Sequence, residues 1–292
     1  MRKALLGILI LPAIILLLCT LFLASPVNAA DGPETSTAWF DSRTLPALIA
    51  SLISIAVVLY SVGVIGKKKS FFIREIPGLK AVEEAVGRAT EMGTPIVFTP
   101  GYGGDIQRPT TIASMNILSN VAEKTALYDC RLIYPTHDPV IMAVAQEVVK
   151  EGYIKAGHPD RYNPDDIFYI SSSQFGYAAA VDGIISRTRP ASVFLLGTFE
   201  AESLIMAETG NTIGAIQIAG TDSTIQLAFF IVACDYTLIG EELFAASGYL
   251  TNNQVILSTV KAQDILKLII AVFIIIAVIW STLDPSSEWW KL

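Results

Sequence analysis

No lysine or arginine occurs from Pro190 to Val260, a run of 71 residues that holds seven carboxylates: Glu200, Glu202, Glu208, Asp222, Asp235, Glu241 and Glu242. A surface so charged repels a phosphate backbone, which argues against nucleic acid as a partner. It also opposes a polyphosphate ligand, unless Arg108 or another cation from earlier in the chain turns inward, or a metal bridges. Low charge in a long stretch marks buried surface, either sheet core or the centre of a subunit contact.

Metal-ligating residues are scarce. The chain has two histidines and three cysteines. His137 and His158 are well separated, and Cys130 and Cys234 lack a CxxC partner, so no zinc spacing exists and no metal site is expected. Carboxylates at several strand ends leave Mg²⁺ or Ca²⁺ as an alternative to solvated helix caps. Unpaired cysteines suit a reducing compartment.

Three catalytic signatures are missing too. The segment VFTPGYGGDIQRP, residues 97–109, runs from a strand into a glycine loop. No lysine follows Gly101 before Lys124, which rules out a Walker A loop. A dinucleotide fingerprint through Gly101 and Gly103 needs Gly or Ala at 106, and that residue is Ile106. The stretch YISSSQFG contains no GxSxG elbow. No motif names a cofactor.

Charged residues make up 16% of the chain, against the ~25% usual for soluble domains. Three apolar blocks cause the shortfall: Ala4 to Ala24, Leu45 to Gly66 and Ile265 to Leu283. Each has about the 20 residues that a bilayer core requires. Arg2 and Lys3 precede the first block, and Val27 and Ala29 sit where a signal peptidase would read. Residues 1–29 are therefore a signal peptide or an uncleaved first membrane helix. Lys67, Lys68 and Lys69 follow the second block, within a basic collar over 67–75. Lys261 and Lys267 flank the start of the third. The positive-inside bias then predicts two transmembrane helices, 45–66 and 265–283, in the plasma membrane. It places residues 76–260 in the cytoplasm and the tail 284–292 outside, where Trp289 and Trp290 suit the interface.

Within 76–260, short β-branched runs alternate with helical stretches. Strands are expected at 95–99, 131–135, 167–171, 192–197, 215–219 and 229–233. Helices are expected near 110–127, 139–155, 174–188, 200–209 and 236–249. Continuous apolar strands between helices indicate a mostly parallel sheet covered on both faces. The expected fold class is α/β: a Rossmann-like, doubly wound domain flanked by transmembrane helices. The connection GTDSTIQLA is short for a helical crossover, so one of the last two strands is misplaced or antiparallel.

The run FEAESLIMAETGNTIGAIQIAGTDSTIQLAFFIVACDYTLIGEELFAASGYL resembles an uncharacterised family of prokaryotic membrane-anchored proteins, a domain of unknown function. The similar stretch covers roughly residues 95–260. The resemblance implies a membrane-anchored α/β domain and carries no catalytic residues.

In an open parallel sheet, ligands bind beyond the C-terminal strand ends. The residues expected there are Gly101, Gly103, Gly104 and Asp105, then His137 and Asp138. Ser171, Ser172, Ser173 and Gln174 follow, with Thr198, Glu200 and Glu202. The candidate ligand-binding set is Gly101, Gly103, Gly104, His137, Ser171, Ser172, Ser173 and Gln174. The same residue types also cap helices, as THDP illustrates, with Asp138 as N-cap before Pro139. A triad of one of these serines, His137 and Asp138 or Asp105 is conceivable, because triads are recognised by geometry. Two function classes stay open. One is a non-catalytic binding or scaffold module at the lipid bilayer, self-associating or joined to other membrane-complex subunits. The other is a small-molecule sensor or enzyme, such as a hydrolase, using the strand-end edge.

Overall fold

The computed structural model describes residues 45–65, 77–251 and 253–283. The signal-peptide region 1–29, the basic collar at 67–75 and the tail 284–292 lie outside the described residues. The chain divides into two compact units, Lys69–Val260 on the one hand, and Met1–Lys68 with Lys261–Leu292 on the other.

In the first of these units, six strands form one sheet: β1 (Ile96–Thr99), β2 (Leu132–Thr136), β3 (Ile167–Tyr169), β4 (Ser192–Leu196), β5 (Ile216–Thr221) and β6 (Tyr236–Ile239). Their order is β3-β2-β1-β4-β5-β6 and every neighbouring pair is parallel. This is the strand order of doubly wound dinucleotide-binding sheets, with the reversal between β1 and β4. Its helices are α2 (Pro77–Met92), α3 (Pro109–Leu127), α4 (Pro139–Lys155), α5 (Gln174–Thr188), α6 (Glu202–Thr212), α7 (Thr224–Ala233) and α8 (Glu241–Leu250).

Residue alternation explains the two covered faces. Ile96, Phe98, Leu132, Tyr134, Phe194 and Leu196 share one core with α2, α3, α4 and α8. Val97, Ile133, Val193 and Leu195 point the other way, to Tyr177, Val181 and Ile185 of α5, Met206 of α6 and Phe230 of α7. Strands that must be apolar on both faces read as unbroken apolar runs. The inner strands β1, β2, β4 and β5 are wholly buried, and the edges β3 and β6 only in part. Phe98 stacks between Tyr134 and Phe194, with centroids 5.7 and 5.6 Å away. Burying each such ring contributes about 1.5–3 kcal/mol.

One expected strand is a helix. Phe229–Ala233 reads as a strand from its aromatic and β-branched content, yet it is the second half of α7. Short apolar runs fit either state, and packing decides between them. The sixth strand is Tyr236–Ile239, and the last expected helix begins at Glu241 rather than near 236. With the strand moved, α7 has room to serve as the β5–β6 crossover, and β6 pairs parallel to β5.

In the other unit, α1 (Leu45–Tyr60) continues into a π-helical turn at Ser61–Ile65. α9 (Gln254–Leu283), whose residues up to Val260 belong to the α/β unit, starts before the expected boundary at Ile265. Among the described residues one helix is long and apolar enough to cross a membrane, Gln254–Thr282, with 29 residues and a mean hydropathy of 2.6 over an 18-residue stretch. Leu268, Ile275 and Val278 are among its many exposed apolar side chains. The apolar stretch Leu48–Gly63, from α1 into the π-helical turn, falls short of that length.

Candidate functional site

The reversal of strand order between β1 and β4 opens the crevice where such folds bind ligands. Two loops meet there, residues 100–108 after β1 and 197–201 after β4. They touch backbone to backbone. Gly101 has φ +78° and Gly197 φ +148°, both in the region that favours glycine. A Cβ on Gly101 would overlap the Thr198 carbonyl, and one on Gly197 would overlap that of Pro100. Gly103 donates its N–H to the Thr198 carbonyl at 3.0 Å. A Cβ on Gly104 would lie 2.6 Å from Thr111 Oγ1. The hydroxyls of Thr110 and Thr198 pair at 2.6 Å beneath the loops.

Glu202 sits in this junction, only 1% exposed. Its Oε1 accepts the N–H of Tyr102 at 2.9 Å and of Glu200 at 3.1 Å. Its Oε2 accepts from Gln174 Nε2 at 2.9 Å, and the same amide donates to Glu200 Oε2 at 3.1 Å. Asp105 Oδ1 accepts the N–H groups of Gln107 and Arg108 at 3.0 Å each. The loop N–H groups of Tyr102, Gly103, Gln107 and Arg108 are thus all engaged by the protein itself.

Tyr102 lies across three strand ends. Its ring packs on His137, centroid to centroid 4.9 Å, and its hydroxyl donates to the Ser172 carbonyl at 2.7 Å. Tyr177, from α5, packs edge-on against His137 at 5.7 Å. The Tyr177 hydroxyl is shared with that of Thr99, and burial raises its pKa far above the ordinary phenol value. Burial lowers the His137 pKa, which keeps the ring neutral at pH 7. The Asp138 charge, the Gly101 backbone and the Glu202 charge act in the opposite direction without reversing it. His137 Nδ1 is buried with no hydrogen-bond partner.

The expected site residues therefore converge on one edge: Gly101, Gly103, Gly104, His137, Ser172 and Gln174 are joined directly or through Tyr102 and Glu202. Ser171 and Ser173 lie beside them, the Ser171 hydroxyl accepting the Ser173 N–H at 3.0 Å. Among the described residues, none of the three serine hydroxyls is hydrogen-bonded to His137. Capping accounts for Asp138, which accepts from Val140 at 2.6 Å and Ile141 at 3.1 Å ahead of Pro139. It does not account for Ser173 or Ser223, whose side chains make no cap bond. Tyr102, Tyr177 and Thr99 complete the cluster and were not expected there. Tyr102 carried a local signal, being the one large residue between the loop glycines.

No group of three His, Cys, Asp or Glu side chains among the described residues could hold a metal ion. A cleft of about 370 Å³, lined by Thr94, Pro95, Cys130, Arg131 and Thr188 among others, opens at the other edge, where β1 and β2 begin. That is the edge such sheets do not use for ligands.

No curated protein and no solved structure is detectably similar to the chain. Residues 35–289 match a family described only as a domain of unknown function. With that match spanning most of its length, the chain belongs to the DUF6754 family.

Proposed function

We propose that this protein is a membrane-anchored α/β module without catalysis of its own, a self-associating binding or scaffold subunit at the plasma membrane. The observation that carries this reading is the position of Glu202. In a dinucleotide-binding sheet, the N–H groups of the first loop face a phosphate. Here a buried carboxylate of the same chain takes that place and holds Tyr102, Glu200 and Gln174 together. A competing phosphate would have to displace it, with no cation in residues 190–260 to assist.

The anchoring half of the proposal rests on composition. Residues 265–283 and 45–66 would both span the bilayer, with Lys67, Lys68 and Lys69 holding the α/β domain on the cytoplasmic side. Residues 1–29 would serve as the export signal or as a further span. Exposed isoleucines and valines along α9 support lipid contact for that helix.

The test is a thermal-shift screen of the full-length protein in detergent against nucleotides and common metabolites, together with its size by light scattering. No stabilisation by mass action and a discrete oligomer are expected. A ligand that raises Tm at stoichiometric occupancy of the crevice defeats the reading. A second reading, a sensor or enzyme, draws on the unpartnered His137 Nδ1 next to Tyr102 and Ser172. It requires that His137→Ala remove a ligand response while the fold persists.

A further inference from the structure

α7 is apolar on both of its faces and buries only one. The helix has no charged residue, and Phe230 is its one fully buried side chain. Gln226, Phe230 and Ala233 face the domain: Gln226 accepts from Ser203 Oγ at 2.5 Å, and Phe230 meets Phe199 edge-on at 5.1 Å. Ile225, Ala228, Phe229 and Val232 fall at i, i+3, i+4 and i+7, which is a single helix face. That stripe points outward, with Ile225 71%, Phe229 38% and Val232 86% exposed. A helix apolar all round belongs in an interior. Next to it, α6 exposes Leu204 and Ile205, and the edge strand β6 exposes Ile239.

The geometry points to a second copy of this chain as the cover, with α7 packing on α7 about a two-fold axis. Charge selects this occupant over the bilayer surface. Interfacial membrane helices carry Lys and Arg on their polar face, and no cation occurs from Pro190 to Val260. An uncharged stripe can meet itself without burying an unpaired ion, and Ala228 at its middle allows close approach. Area agrees. A ten-residue helix is about 15 Å long, so the stripe with Leu204 and Ile205 offers on the order of several hundred Å². That is less than the ~800 Å² per partner of a standard stable interface. The pairing is therefore weak between free molecules and effective between chains held in one membrane. To that extent the inference rests on the anchoring proposed above. Asp222 and Asp235 flank the two ends of α7. Antiparallel pairing brings them near their counterparts, so salt strengthens the contact by screening.

Full-length protein in its own membranes provides the test. Ala228→Cys, in a Cys234→Ser background, is oxidised mildly and compared with Ala143→Cys on the opposite face of the sheet. Expected is a covalent dimer at least tenfold more abundant for Ala228→Cys, increased by 0.5 M salt and abolished by adding Val232→Glu. Equal cross-linking at the two positions overturns the inference, as does capture of a different protein at Ala228→Cys or protection of that thiol by lipid alone. If light scattering still shows an oligomer in those cases, the face is wrong and the scaffold reading stands. A monomer in detergent that lysine-reactive reagents also fail to cross-link in membranes defeats both.

Discussion

Glu202 accepts the backbone N–H of Tyr102 at 2.9 Å across one hundred positions of sequence, from the first turn of α6 to the loop after β1. This bond ties the two loops at the strand-order reversal. It also puts a carboxylate at the N-terminal end of a helix, where the macrodipole favours negative charge. Because Glu202 is buried, its removal strands donors instead of handing them to water. Glu202→Ala should cost about 2–4 kcal/mol, the penalty for unsatisfied buried donors. Glu202→Gln keeps an acceptor for Tyr102 and Glu200, and the Gln174 amide, losing one of its two carboxylate acceptors, still has Glu200 Oε2. It should cost about 1 kcal/mol. Chemical denaturation of both variants measures the difference, and equal losses would remove Glu202 from this role.

The close contact of the two loops can be separated from simple backbone strain. Gly101 and Gly214 both have positive φ, +78° and +73°. A Cβ added at Gly214 would meet nothing within 4 Å, whereas at Gly101 the Thr198 carbonyl and the Phe199 ring stand in its way. Gly214→Ala should therefore cost about 1 kcal/mol, the left-handed penalty alone. Gly101→Ala adds steric displacement of the β4 loop and should cost about 3 kcal/mol or more. A matching pair of melting curves settles this.

Much of this architecture is legible in the chain because local and global demands agree. The four inner strands are unbroken apolar runs, and burial on both faces requires that. Asp138 before Pro139 announces the start of α4. The run FFIVA is misread because its residues are apolar whichever element they join. Its true neighbour, Phe199 edge-on to Phe230, comes from the loop after β4. The strand-end residues can be collected from sequence for the same reason: parallel topology sends all of them to one edge. What they do to each other cannot. Whether Glu202 faces solvent or folds into the junction depends on a bond to Tyr102 that no local pattern encodes.

His137 gives the domain a pH dependence of known sign. Its folded pKa lies below the ordinary value near 6.5 because burial disfavours the charged ring. In the window below about 6.5, the unfolded chain binds a proton that the folded chain refuses. The contribution of this group is thus fully present above about pH 6.5 and lost as pH falls toward the folded pKa. His137→Gln should flatten that part of the stability profile below about pH 6.5. Urea midpoints across this range provide the measurement, and an unchanged slope would place the dependence on other groups.

Burial makes both cysteines of the α/β domain slow nucleophiles. Desolvation, with the nearby Asp129 charge, pushes Cys130 up to about 11, and desolvation with Asp235 pushes Cys234 up to about 12. The thiolate is the reactive form, and a free thiol has pKa near 8.5. At pH 8 roughly a quarter of an unperturbed thiol is ionised, against about one part in a thousand at a pKa of 11. Alkylation of Cys130 by iodoacetamide at pH 8 should therefore run about two orders of magnitude slower in folded protein than in guanidinium. Cys234 should be slower still, although it is the less buried of the two. Peptide mass mapping over a time course reads each site separately. Rapid labelling of Cys234 in the folded protein would mean that the α7–β6 corner opens to solvent. In that event the apolar packing of Phe230 on Phe199 would not hold the helix as described.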